Sequence, residues 1–218
     1  MKQIFNRTKL SLLILFTTVK ITLAGEPAIH NNVAPSAVEI CPLLIGAPVP
    51  AVTLTTINGE PFTLKLTVTK KPAVLIFYRG GWCPFCNLHL AELKDIETDL
   101  VKLGYRILAI SLDRPAELRK SLEKHEMKYT LLSDSSGVAA KAFGLAFKVE
   151  DAYINKLNSF GMNLEKASGQ KHHILLVPAA FIIGTDGLIK FAYINPNYKV
   201  RVKADVLLAA ARAYLTEK

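Results

Sequence analysis

Two cysteines stand two residues apart in "YRGGWCPFCNLHLAEL", residues 78–93, where an apolar run gives way to a helix-like pattern. Cys83 and Cys86 could be a redox pair, half of a metal site, or buried structural thiols. A structural zinc site takes four ligands, usually from a second Cys or His pair. The remaining candidates are Cys41, His30, His89, His125, His172 and His173, and none forms a partner pair at finger spacing. His172 and His173 are adjacent, so on a strand they would point to opposite faces. Inert core thiols are common, but Cys83 follows two glycines at a helix start, where a side chain is expected to be accessible. The redox reading accounts for more of the pattern. Cys83 precedes a first helical turn whose N–H groups lack intrahelical partners, and the helix dipole adds positive charge there. Such cysteines fall from a pKa of ~8.5 to about 3.5–7.5. Cys86, one turn later, joins the apolar stripe and should be the more buried thiol. Cys83 is therefore the expected nucleophile and Cys86 the resolving thiol.

The neighbouring residue types suit that chemistry. Pro84 fits the first helical turn, where its missing N–H costs nothing. Trp82 and Phe85 are expected to wall the site, and Gly80 and Gly81 to let a substrate backbone approach closely. Arg79 is either a solvated loop charge or a supporting group of the site. Arg201 is read first as a solvated charge, His89 as a surface helix histidine, and Asp113 as a helix cap rather than a proton carrier. Cys41 reads as a lone thiol, available for a mixed or intermolecular disulfide.

The elements that must hold these residues alternate. "AVTLTTI" and "FTLKL" alternate in hydrophobicity around Asn58-Gly59-Glu60, which predicts a β-hairpin. "AVLIFY", 73–78, is continuously apolar, as a strand covered on both faces would be. A helix is predicted from Pro84 to Leu103, with Cys86, Leu90, Leu93, Ile96, Leu100 and Leu103 on one buried stripe and Gly104 ending it. Strand 105–111, a helix from Pro115 to Met127, strand 129–134 and a short helix in "GVAAKAFG" follow. "AAFIIGTDGLIKFAYI" reads as a second hairpin, and 203–216 as a closing helix. Strands alternating with helices predict an α/β sandwich with a central sheet and helices on both faces. Residues 145–173 are too long for a simple connection. Val149, Tyr153, Leu157 and Phe160 are helically spaced there, so part of this insertion should fold over the sheet.

A Cys-x-x-Cys between a buried strand and a helix is the signature of a thioredoxin-like fold. In that fold a cis-proline faces the cysteines, and "VP" before the last hairpin puts Pro178 in that place, with the peptide at Val177 free to pair with an extended substrate. "FYRGGWCPFCNLHLAEL" together with "VPAAFIIGTDGLIKFAYINPNYKVR" resembles the peroxiredoxin-like branch of the alkyl hydroperoxide reductase/thiol-specific antioxidant (AhpC/TSA, redoxin) family, over residues 43–215. The resemblance implies a thioredoxin fold, no cofactor, and peroxide reduction at Cys83 through a sulfenic acid and a Cys83–Cys86 disulfide. It also implies an external, thioredoxin-like dithiol as electron donor. Two positions depart from the family. Gly80 stands where its members carry Thr or Ser, and Pro178 stands about where they carry an arginine. Arg79 or Arg201 would have to supply the missing groups in space. The Cys-x-x-Cys and proline equally match a thiol-disulfide oxidoreductase acting on protein disulfides, and a thioredoxin-fold binding module without catalysis is a third reading.

The start of the chain reads as an export signal. Lys2, Arg7 and Lys9 precede the apolar "LSLLILFTTV", and Thr22 and Ala24 suit cleavage before Gly25. The apolar run is short for a membrane span, although an uncleaved N-terminal anchor is the rival reading. Residues 1–24 are thus a signal, 25–42 a loose lead-in and 43–218 one domain, exported to a periplasmic or extracellular space where disulfides persist. The net charge of +9 falls to +5 without the four bases of that signal. With no basic stripe interleaved with aromatics, nucleic acid is not an expected partner.

Overall fold

The computed structural model describes residues 32–125 and 129–215. The expected signal at 1–24 and the first part of the lead-in lie outside them.

Along the chain run β1 (Thr53–Thr56), β2 (Pro61–Thr63), α1 (Leu64–Val68), β3 (Ala73–Phe77), α2 (Pro84–Lys102), β4 (Arg106–Ser111), α3 (Pro115–His125), β5 (Thr130–Ser133) and α4 (Val138–Ala142). The insertion supplies β6 (Ala146–Lys148), α5 (Asp151–Ser159) and α6 (Leu164–Ser168). The chain then continues through β7 (Ile174–Leu176), β8 (Ala179–Ile183), β9 (Ile189–Ile194) and α7 (Ala204–Leu215). Seven strands form a mixed sheet in the order β2-β1-β5-β4-β3-β8-β9, and β6 and β7 pair separately.

β3 is central and every residue of it is buried, as its continuous apolar run requires. It runs parallel to β4 and antiparallel to β8, with Leu75 opposite Leu108 on one side and Phe181 on the other. Its side chains alternate between two cores. Leu75 and Phe77 join α1, α4 and the insertion on one face, while Val74 and Ile76 join α2, α3 and α7 on the other. Phe77, Phe143 and Phe181 pack ring to ring on the first face at 4.8–5.9 Å. The strand order steps β3, β4, β5 in one direction. Both right-handed crossovers therefore put α2 and α3 on the same face, and the opposite face is covered by α1, α4 and the insertion instead.

Two expectations are corrected. The second arm of the first hairpin stops at Thr63, and Leu64–Val68 is helical. Leu64 and Val68, four residues apart, are both buried while Leu66 is exposed, so the 3.6-residue period governs there. The lead-in is not loose over its described part. Ala34 pairs with Phe147 of β6, Ile40 and Leu43 pack on the core, and residues 46–49 hydrogen-bond to Gly187 and Ile189.

Candidate active site

The site sits at the carboxyl end of β3, where the chain turns through Arg79-Gly80-Gly81-Trp82 into α2. Cys83 is the N-cap residue of α2 (φ −88°, ψ 114°) and Pro84 is its first helical residue, as the sequence predicted. Cys86 is fully buried in the α2 stripe. Cys83 is also buried, with 1% exposure, where accessibility was expected. Trp82, next to it in the chain, packs against both cores.

The two sulfurs differ in acidity. Cys83 is lowered from 9.0 to about 6, first because the Cys86 thiol hydrogen-bonds to its sulfur, then through the Cys86 backbone N–H and the Arg79 and Arg201 guanidinium groups, against the cost of burial. Cys86 is raised well above 9.0, first by sharing its proton with Cys83 and then by burial. The expected cause is thus only partly right. Helix-start amides contribute, but no side-chain cap bond forms, and the Cys86 and Asn87 N–H groups go to the Cys83 carbonyl at 3.0 and 3.1 Å. The neighbouring thiol is the larger influence.

Arg79 is not a solvated charge. It is 4% exposed. Its Nη2 donates to the Tyr153 hydroxyl at 2.8 Å, and its guanidinium stacks 4.2 Å from the Tyr198 ring, 5.0 Å from Trp82 and 5.7 Å from Tyr153. Arg201 also reaches the site. Its Nη2 lies 3.6 Å from the Cys86 sulfur and its Nη1 donates to the Val200 carbonyl at 3.0 Å. Tyr153 comes from the insertion, so that segment is part of the site and not only a surface elaboration. The sequence signal for it was the helical spacing that made Tyr153 inward-facing.

Gly80 and Gly81 serve the chain's own packing rather than a substrate's backbone. At Gly80 (φ +147°) a Cβ would run into the Trp82 indole nitrogen and lie 2.7 Å from an Asp113 carboxylate oxygen. At Gly81 a Cβ would collide with the Ser121 hydroxyl. The loop is pinned on both sides: the Gly81 N–H donates to Asp113 Oδ2 at 2.7 Å, and the Asn87 amide donates to the Gly81 carbonyl at 2.8 Å. Asp113 is therefore committed to this loop. The Arg114 carbonyl receives the first N–H groups of α3 in its place. Burial raises Asp113 from 3.8 to about 7.

His89 is buried too, contrary to expectation, with an unpaired Nε2; burial and then Arg201 lower it from 6.5 to about 4. It lies three residues after Cys86, which is the spacing that places it on the stripe. Phe85 remains partly exposed, edge-on to Tyr198 at 5.7 Å between ring centres.

Val177 and Pro178 lie beside Arg79 along a cavity, but the expected geometry is absent. No cis peptide bond occurs among the described residues, and the Val177 N–H donates to the Leu145 carbonyl at 3.0 Å. That N–H is engaged by the residue before β6, so it is not available to a substrate strand. Cys41 is exposed in the lead-in, remote from the pair in sequence, with its carbonyl packed against Gly144.

The chain is similar to known proteins in sequence and in fold. Peroxiredoxin Bcp of Escherichia coli K12 is 33% identical over 105 residues, 48% of this chain and 66% of that protein. A peroxiredoxin bcp of Haemophilus influenzae is 35% identical over 104 residues, with the same coverage of 48% and 66%. The matched stretch thus spans slightly under two thirds of those relatives. Among solved structures, peroxidoxin BcpB from Mycobacterium tuberculosis superposes with a TM-score of 0.60 at 22% identity, covering 78% of this chain and 96% of that one. Reduced Prx3 of Vibrio vulnificus in complex with hydrogen peroxide gives 0.64 at 19%, covering 78% and 99%. These likenesses establish a thioredoxin-like fold. The family model described as AhpC/TSA matches residues 45–192, from the end of the lead-in into β9 and across the insertion, and the chain belongs to that family.

Proposed function

We propose that the protein is a thiol-dependent peroxidase in which Cys83 reduces a peroxide and Cys86 resolves the product. One observation carries this reading. A sulfur with a pKa of about 6 is enclosed at 1% exposure beside a thiol that holds its proton. A peroxide brings two oxygens to the sulfur and needs little room. A protein disulfide must approach in line along its S–S bond, and the Val177 N–H that would dock its strand is already bonded.

The Cys83 thiolate attacks one peroxide oxygen, the O–O bond breaks, and the leaving alkoxide or hydroxide takes a proton from water. Cys83 becomes a sulfenic acid. Cys86 sulfur then attacks it, water leaves, and the Cys83–Cys86 disulfide forms. Two electrons from an external thiol donor restore the pair. With glycine at position 80 the usual hydroxyl is missing, so Arg79 and Arg201 polarise the peroxide and steady the departing oxygen. We assign export on the strength of the basic, then apolar start of the chain. N-terminal sequencing of the mature protein from cell fractions tests it; a cytosolic protein that retains Met1 overturns it.

Trp82 is the single tryptophan of the chain and adjoins Cys83, so its fluorescence should report oxidation directly. Stopped-flow mixing of reduced protein with hydrogen peroxide, and separately with a protein disulfide, tests the assignment. Rapid oxidation by peroxide and slow exchange are expected. The reverse order would make the protein a disulfide oxidoreductase. No oxidation in either case, with Cys83→Ser indistinguishable from wild type, would leave a binding module.

A further inference from the structure

A cavity between Arg79 and the insertion takes no part in the chemistry above. It holds about 290 Å³, near the lower end of the ~300–1,000 Å³ typical of small-molecule sites. Phe147, Val149, Leu176, Pro178 and Tyr198 give it a largely apolar lining. Lys148 and Glu150 border it too, but both are exposed and opposite in sign, so Arg79 is its enclosed charge. At 4% exposure, Arg79 is hydrogen-bonded to the neutral Tyr153 hydroxyl and stacked among three aromatic rings, and no carboxylate pairs with it among the described residues. Enclosing a cation without an anion is costly. The Cys83 thiolate offsets part of that cost, since Arg79 favours its ionised form. Once Cys83 is oxidised the thiolate is gone, and the cation is left with rings and a hydroxyl.

We infer that this cavity binds a small amphiphile with a single carboxylate, its carboxylate on Arg79 and its apolar body against Phe147, Val149 and Leu176, and that this ligand and the Cys83 thiolate compete for the same cation. The site is regulatory, not catalytic. Neither cysteine lines the cavity, so the ligand acts on Cys83 through Arg79. The walls set the ligand's chemistry. One enclosed guanidinium suits one negative charge, and its paired N–H donors match the two oxygens of a carboxylate. Apolar walls suit a ring or a chain of a few methylenes, not a hydrated inorganic anion. Coupling between two sites is reciprocal, so a ligand that prefers the form without a thiolate disfavours the thiolate by the same factor. The ligand therefore binds best when Cys83 is oxidised, and makes reduced Cys83 less acidic. Arg201, 3.6 Å from the Cys86 sulfur and outside the cavity lining, keeps its charge at the pair, so Cys83 is attenuated and not silenced. The inference needs the charge on Cys83, not the identity of its oxidant.

The test titrates the full chain by calorimetry with hexanoate, neutral 1-hexanol, cationic hexylamine and acetate. It is run with the pair reduced, with the pair oxidised by diamide, and in Cys83→Ser, which forms no thiolate at that position. Hexanoate is expected to bind the oxidised protein and Cys83→Ser about tenfold tighter than 1-hexanol, the lower figure for a charged hydrogen bond. It should exceed acetate, which lacks four methylenes, about a hundredfold, and hexylamine should not bind. Reduction should weaken hexanoate about fivefold, the low end for coupled sites. By the same factor, saturating hexanoate should raise the Cys83 thiolate midpoint by about 0.7 of a pH unit. Arg79→Gln should remove the preference for hexanoate over 1-hexanol. Ala37→Trp, a half-buried lining position in the lead-in, should fill the cavity and abolish both hexanoate binding and the midpoint shift. Equal affinity for hexanoate and 1-hexanol, acetate binding as tightly as hexanoate, undiminished hexanoate binding in Ala37→Trp, or a Cys83 midpoint that hexanoate does not move overturns the inference. Slow oxidation by hydrogen peroxide with the expected binding results intact would count against the peroxidase reading alone.

Discussion

The acidity of Cys83 is the quantity on which the site turns, and the structure says which neighbour sets it. The Cys86 thiol is the largest favourable influence on the Cys83 sulfur, ahead of its own backbone N–H and the two arginines. Replacing Cys86 by alanine removes that donor and keeps the others. A hydrogen bond to a charged group contributes about 1.5–3 kcal/mol, and a thiol is a weak donor, so the lower figure applies. At 1.36 kcal/mol per pH unit, Cys86→Ala should raise the Cys83 midpoint by about one unit. Cys86→Ser, which keeps a hydroxyl donor, should leave it near the wild-type value. The populations are easy to tell apart. A thiol titrating at about 6 is roughly nine-tenths ionised at pH 7, against about half for one titrating a unit higher.

The assay is the ultraviolet absorbance of the thiolate across pH, or the pH profile of alkylation. Both are done in a Cys41→Ser background, because Cys41 is exposed and would contribute its own titration. A Cys86→Ala midpoint equal to wild type would refute the reasoning. It would mean that helix-start amides and arginines hold the thiolate without the neighbouring thiol.

Three further outcomes follow from named contacts. Gly81→Ala should cost about 1–3 kcal/mol in denaturant unfolding, because its Cβ collides with the Ser121 hydroxyl, and adding Ser121→Gly should recover most of it; no recovery would place the strain elsewhere. Asp113 titrates at about 7 when folded and 3.8 otherwise, so the folded protein keeps a proton that the unfolded chain has lost between those values, and stability falls as pH rises from about 4 to about 7. Asp113→Asn, which keeps an oxygen for the Gly81 N–H, should therefore gain on wild type across that window and run parallel to it above; parallel melting curves throughout would contradict this. Cys83→Ala should lower the Cys86 midpoint, since the proton shared with Cys83 is what most raises it, and an unchanged titration would assign that elevation to burial alone.

What the sequence disclosed was local. "AVLIFY" and the stripe through Cys86, Leu90 and Leu93 specify β3 and α2 because burial on both faces or on one face writes its period into adjacent residues. Five residues are too few for that: in "TLKLTV" the alternation of Leu64 and Leu66 competes with the Leu64–Val68 spacing, and only packing decides between them. The cysteine pair was legible because its chemistry needs just one turn of helix. Its charge environment was not, since Arg201 meets Cys86 across 115 residues of chain. Glycines 80 and 81 announced a close approach but not by what. The approaching groups prove to be Trp82, Asp113 and Ser121, all from the same chain.

In the proposed peroxidase cycle, the pairing of the two sulfurs also orders the reaction. In the reduced protein Cys86 holds the proton that Cys83 has given up, so Cys86 is a poor nucleophile and Cys83 a good one. Oxidation of Cys83 to a neutral sulfenic acid removes its negative charge and its demand for that proton. What then acts on Cys86 is burial, which opposes ionisation, and Arg201 and the Arg79 N–H, which favour it. The resolving thiol thus becomes more acidic at the step that needs its thiolate, and less so before. The asymmetry needs no movement of the backbone. It follows from one proton shared between two thiols, with the second held 3.6 Å from a guanidinium that stays charged throughout.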